Sequence, residues 1–154
     1  MQLTIPGEEK PLIIDTIILD LNGTLAIDGK VIEGVAERIE LLRQDAFTLF
    51  LFTGDTHGNA GAISDALVLE VRVTKTADDK ANQALALGSE TCAAIGNGKI
   101  DEILFQTVRL SIATLQAEGV HKDTFLAADI VVPSINDALD LFIHQQRLVA
   151  TLRR

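Results

Sequence analysis

One cysteine, Cys92, is all that the 154 residues contain, which excludes an intrachain disulfide and leaves no cysteine pattern for a zinc cluster. Cys92 sits in the mostly apolar run Thr-Cys-Ala-Ala-Ile and reads as a small buried hydrophobe rather than a reactive thiol. Basic residues are also scarce: 13 Lys and Arg stand against 22 Asp and Glu, a formal net charge of −9. That balance disfavours nucleic acid or an anionic membrane surface as a partner, and obliges any anionic substrate to meet a local basic group or a cation. No stretch approaches the length of a membrane span, and residues 1–10 lack a basic segment followed by an apolar one. The expectation is therefore a cytoplasmic protein with no membrane partner.

What the chain does have is core-forming material. Hydrophobic residues make up 47% and mean hydropathy is +0.28, which argues against disorder and for one domain over residues 1–154. Apolar and amphipathic segments alternate as in a βαβ protein, an α/β fold. Residues 2–5 and 12–19 read as strands around the turn signal Pro6-Gly7, an opening β-hairpin. Strands are expected at 47–52, 69–73, 93–95, 108–113 and 129–132. Helices are expected at 32–44, 57–67, 78–87, 101–107 and 122–127, with one or two more across 135–152.

The run Ile17-Ile18-Leu19 delivers Asp20 to a glycine-containing loop. Parallel strands in α/β sheets read as continuous apolar runs, and ligands bind beyond their carboxyl ends, so Asp20 stands where a nucleophilic carboxylate belongs. Alone, Asp-Leu-Asn-Gly is as well explained by a capped turn. Four further segments in order change that balance. Thr53-Gly54-Asp55 follows the strand at 47–52. Lys80 opens the helix at 78–87. Residues 94–101 read Ala-Ile-Gly-Asn-Gly-Lys-Ile-Asp, and the segments 110–113 and 126–139 follow them.

Taken together these segments resemble the haloacid dehalogenase-like phosphohydrolases, whose first motif is Asp-x-Asp-Gly-Thr. Asn22 at the second acidic position looks most like the soluble P-type ATPase-like set, which carries Asn-Gly-Thr. The resemblance covers about residues 12–152. It implies a Rossmann-like three-layer sandwich with a mainly parallel central sheet and no cap domain, since neither residues 21–46 nor 54–79 leave room for one. It implies an aspartyl-phosphate on Asp20, with Thr24 supporting the loop after it. Thr53, Gly54 and Lys80 would hold the phosphoryl group, with Lys75 a rival to Lys80 on position. Mg²⁺ would be held by Asp20, the Asn22 main chain, Asn97 and Asp101. The substrate would be a small-molecule or macromolecular phosphoester, and a homo-oligomer is expected because capless members act on large substrates or borrow a lid from a neighbour.

Three departures weaken that site. Asn22 stands where a phosphatase keeps its acid-base aspartate, and an amide neither donates nor removes the required proton. Asn97 replaces an anionic ligand, and Ile100 a polar group that would orient the others. The chain therefore reads as a slow Mg²⁺-dependent phosphatase, with a non-catalytic phosphate-binding or regulatory protein as the alternative. His57, close behind Thr53, is a candidate surrogate acid; His121 and His144 read as surface residues.

Overall fold

A computed structural model describes every residue except 55–57 and 59. Strands β1 (Gln2–Leu3) and β2 (Leu12–Ile13) pair antiparallel as the expected opening hairpin. The single strand expected over 12–19 is divided, with β3 (Thr16–Asp20) entering the main sheet. The division has a hydrogen-bonding cause: Ile14 N still donates to Met1 O, whereas Asp15 N donates to Thr91 O and Asp15 O accepts from Thr48 N. The chain changes partners within one residue, from its own hairpin to the central sheet.

A second hairpin, β4 (Ala26–Ile27) with β5 (Lys30–Val31), lies where a plain loop was expected. Its two-residue turn, Asp28-Gly29, has both φ angles positive, at 50° and 75°, as a type I′ turn demands. Then follow α1 (Val35–Gln44), β6 (Thr48–Thr53), α2 (Ala60–Leu67), β7 (Glu70–Val73), α3 (Ala77–Ala86) and β8 (Cys92–Gly96). The remainder is α4 (Glu102–Thr107), β9 (Leu110–Thr114), α5 (Lys122–Ala127), β10 (Ile130–Val132), α6 (Ile135–Ile143) and α7 (Gln146–Leu152). The start expected for the second helix, His57, lies outside the described residues.

Six strands form one parallel sheet in the order β10-β9-β8-β3-β6-β7. Alternation along the strands sorts the core into two layers. Ile17 and Leu19 of β3 join Leu49 and Leu51 of β6 against α1, α2, α6 and α7. Ile18, Phe50, Phe52 and Ala94 face the other way, against Ala84 of α3 and Leu104 and Phe105 of α4. The result is the three-layer α/β sandwich, with no cap domain inserted among the described residues. The chain runs from β3 to β6 and β7 on one side, then crosses back to β8 on the other, so β3 lies at the switch point where such sheets open a crevice.

Candidate active site

Asp20 ends β3 and shares its parity with Ile18, so it faces the layer built by α3 and α4. That layer supplies its partners. Lys80, in the first turns of α3, is fully buried, and its Nζ donates to Asp20 Oδ1 at 2.6 Å and to Asp101 Oδ1 at 2.6 Å. The helix is held in register by a capping box: Thr76 Oγ1 accepts from Asp79 N, and Asp79 Oδ2 accepts from Thr76 N. Lys75 N also donates to Asp79 Oδ2.

One ammonium shared by two carboxylates has uneven consequences. Burial pushes Asp20 from its ordinary 3.8 up to about 6, with Lys80 pulling it down and Asp101 adding to the rise. Burial draws Lys80 down, but Asp20 and Asp101 more than offset that, and the ammonium ends above its ordinary range. The two directions are compatible, because the lysine gains two anions whereas each carboxylate has only a share of one cation. Two carboxylates against one ammonium give the trio a formal charge of −1, and Asp20, at about 6, is ionised at neutral pH.

Asp101 is engaged at both oxygens. Its Oδ2 accepts from Asn97 N at 3.1 Å and Gly98 N at 3.0 Å. It fills the space beside Gly96, where a Cβ would lie 2.5 Å from Asp101 Oδ2. Asn97 is engaged at both ends of its amide: Oδ1 accepts from Thr24 Oγ1 at 3.1 Å, and Nδ2 donates to Gly119 O at 2.8 Å. The sequence motif thus brings Asp101 to Lys80, while the Asn97 side chain ties the loop after Asp20 to the loop after β9.

A cavity of about 290 Å³ opens at the carboxyl end of β3, lined by Asp20, Asn22, Thr53, Gly54, Lys75, Lys80, Gly98 and Ile100. Thr53, the last residue of β6, is buried beside Asp20, and Gly54 stands exposed on the rim. Asn97 and Asp101 are absent from that lining. His57 lies outside the described residues. Asn22 lines the same cavity as Asp20, and its buried Oδ1 has no hydrogen-bond partner among the described residues. Those donors suit a magnesium-like cation, which prefers oxygen ligands and keeps several waters. The fit is to Asp20 and Asn22; no cluster of three His, Cys, Asp or Glu side chains occurs among the described residues.

Gln116 was not singled out from the sequence. Its Nε2 donates to Gly23 O and Thr24 O, and its Oε1 accepts from Ile135 N at 2.8 Å. It therefore clamps the loop after Asp20 to the start of α6. No local motif announces it, because its partners are backbone groups more than ninety residues away in one case and nineteen in the other.

No family model matches the chain. Two uncharacterized proteins of Methanocaldococcus jannaschii are 50% identical to it, over 60 and 40 residues. The matches span 39% and 26% of this chain, and 64% and 89% of those proteins. Solved structures align over more of it. A putative 3-deoxy-D-manno-octulosonate 8-phosphate phosphatase from Vibrio cholerae superimposes with a TM-score of 0.72 at 15% identity, covering 95% of this chain and 96% of that one. The Moraxella catarrhalis enzyme of that name, in complex with magnesium, phosphate and KDO, gives a TM-score of 0.69 at 17% identity over 91% and 94%. The cobalt-bound Haemophilus influenzae enzyme gives 0.71 at 14% over 92% and 94%. The chain therefore shares the fold of these phosphatase structures.

Proposed function

We propose that the chain is a capless phosphohydrolase, dependent on magnesium, that works through an aspartyl-phosphate on Asp20. The observation that carries this reading is the Lys80 bridge. It holds Oδ1 of an ionised, buried carboxylate that lines the cavity at the carboxyl end of the central strand, and Oδ2 is the oxygen assigned to the attack. That oxygen would attack phosphorus in line with the ester bond; the P–O(ester) bond breaks and the leaving group departs as an alkoxide or phenoxide that takes its proton from solvent. Water then attacks the phosphorus of the acyl phosphate, releasing inorganic phosphate and restoring the carboxylate.

Thr53 and the Gly54 backbone would orient the phosphoryl oxygens, and Lys80 would offset charge as it builds. Magnesium, when bound through Asp20 and Asn22 oxygens, would supply the positive charge that lets a phosphate dianion approach a trio already net negative. The loop bonds made by Asn97, Asp101 and Gln116 would hold Asp20 and Asn22 in place. Among the described residues lining the cavity no second carboxyl or imidazole stands ready to protonate the leaving group: Asn22 is an amide, Asp20 is the nucleophile, Lys80 is bound to two carboxylates with its pKa raised, and Lys75 is an exposed lysine on the rim. Turnover should therefore be slow and favour esters whose leaving groups depart without protonation. The same lack favours a second reading, a phosphate-binding or regulatory protein with no turnover.

Magnesium-dependent phosphate release from an aryl phosphate, compared between the natural protein and Asp20→Asn, tests the proposal. Release that disappears in Asp20→Asn, with circular dichroism unchanged, supports it. Equal background release from both, with phosphate still bound, selects the second reading.

A further inference from the structure

The cavity holds a second lysine that the phosphoryl chemistry leaves unused. Lys75 lines it alongside Lys80, but the two are placed differently. Lys80 is buried and committed to Asp20 and Asp101. Lys75 is exposed, and no described residue forms an ion pair or hydrogen bond with its ammonium. Only its backbone is engaged, through the bond from Lys75 N to Asp79 Oδ2, which fixes where the side chain leaves the loop ahead of α3. In a chain of net charge −9, a cation at the mouth of the site that no described residue binds through its ammonium raises the local concentration of anions there.

We infer that Lys75 is a specificity-determining residue, and that the preferred substrate class is a small phosphate ester bearing a second anionic group, a carboxylate or another phosphate. This inference rests on the phosphate-site reading above. Without a cap domain, the rim of the crevice is the part of the molecule left to distinguish one ester from another. Exposed where Lys80 is buried, the rim cation suits the part of a substrate that projects beyond the phosphoryl group. A second anion there pairs with Lys75, whereas a neutral substituent gains nothing. Asp79 lies nearby and its carboxylate is committed to the capping bonds, so the ammonium does not have to break a salt bridge to reach a ligand.

Binding titrations in magnesium buffer with three inert phosphonates test this. Methylphosphonate has the phosphoryl-like group alone; phosphonoacetate adds a carboxylate, and methylenediphosphonate a second phosphonate. The natural protein is expected to prefer at least one of the latter two by about fivefold, in line with roughly one kcal/mol for a solvent-accessible pair. Lys75→Gln should bring the preference to about one, Lys75→Glu should invert it, and high salt should shrink it. Which of the two dianions is preferred separates a carboxylate from a phosphate. If methylphosphonate binds but the preference is missing, or survives in both variants, the inference is overturned and the phosphate-site reading stands. If none of the three binds, both are overturned. Because the capping bond uses the Lys75 backbone, both variants should keep the natural melting temperature, which calorimetry verifies.

Discussion

Lys80 Nζ is equidistant from two carboxylates, 2.6 Å from Oδ1 of Asp20 and 2.6 Å from Oδ1 of Asp101, with the whole lysine side chain buried. Removing the cation leaves two uncompensated carboxylates at one end of the sheet. Truncating one partner of a buried ion pair costs about 3–5 kcal/mol. Lys80→Met should lose stability on that scale in denaturant titrations at neutral pH. The loss should shrink on acidification, as the stranded carboxylates take up protons. A neutral-pH loss below about 1 kcal/mol, the worth of an exposed pair, would contradict the buried geometry.

Asp20 sets a pH dependence of definite sign. Its folded value, about 6, lies above the ordinary 3.8, so the native state holds this proton more tightly than the unfolded chain does. The stability it contributes is complete below about 3.8 and is lost as pH rises through about 6. Catalysis runs the other way, since attack needs the ionised form. In magnesium-free buffer the stability profile should bend near 6, and Asp20→Asn should remove that slope. A midpoint at the ordinary carboxylate value would show that burial does not govern this group.

Asn22→Asp restores a group able to protonate the leaving alcohol. General acid-base help is worth about two to four orders of magnitude, so initial rates with an alkyl phosphate should rise at least about a hundredfold. Aryl phosphates, which leave more readily, should gain less. No gain with either ester would count against the role given to Asp20.

Asn97 makes a prediction that separates support from ligation. Its amide joins Thr24 Oγ1 to Gly119 O, and leaving buried partners unsatisfied costs about 1–3 kcal/mol. Asn97→Ala should therefore lower the melting temperature without magnesium present, with little change in magnesium affinity by calorimetric titration. Gly23→Ala should behave similarly, because a Cβ there would lie 2.4 Å from Asn97 Nδ2 at a φ of +76°. A large fall in magnesium affinity with unchanged stability would make Asn97 a ligand instead.

The motifs were readable in the sequence because their residues are close together along it. Asp20, Thr53 and Asp101 each follow an apolar strand or its turn, and hydrophobic runs locate strand ends well. Lys80 and Lys75 were not separable on position alone. What divides them is depth: the capping box starts α3 so that Lys80 lies under the sheet's open end while Lys75 remains on the rim. The β4–β5 hairpin had a legible signal, Asp-Gly between Ile27 and Lys30, but strands of two residues give too short an alternation to recognise. Gln116 and the Asn97 amide had no signal, since both bind partners distant in sequence.

Composition and periodicity were enough to dictate the α/β layering, a buried Ile17-Ile18-Leu19 strand and the place of Asp20 at its carboxyl end, because burying apolar faces leaves few alternatives. The three-dimensional arrangement was needed for the rest. It put one ammonium between two carboxylates, turned Asn97 toward Thr24, and left Asn22 Oδ1 and the Lys75 ammonium without a hydrogen-bond partner among the described residues. Those outcomes depend on which distant side chains compete for each hydrogen bond, and that competition is resolved only when helices and strands pack together.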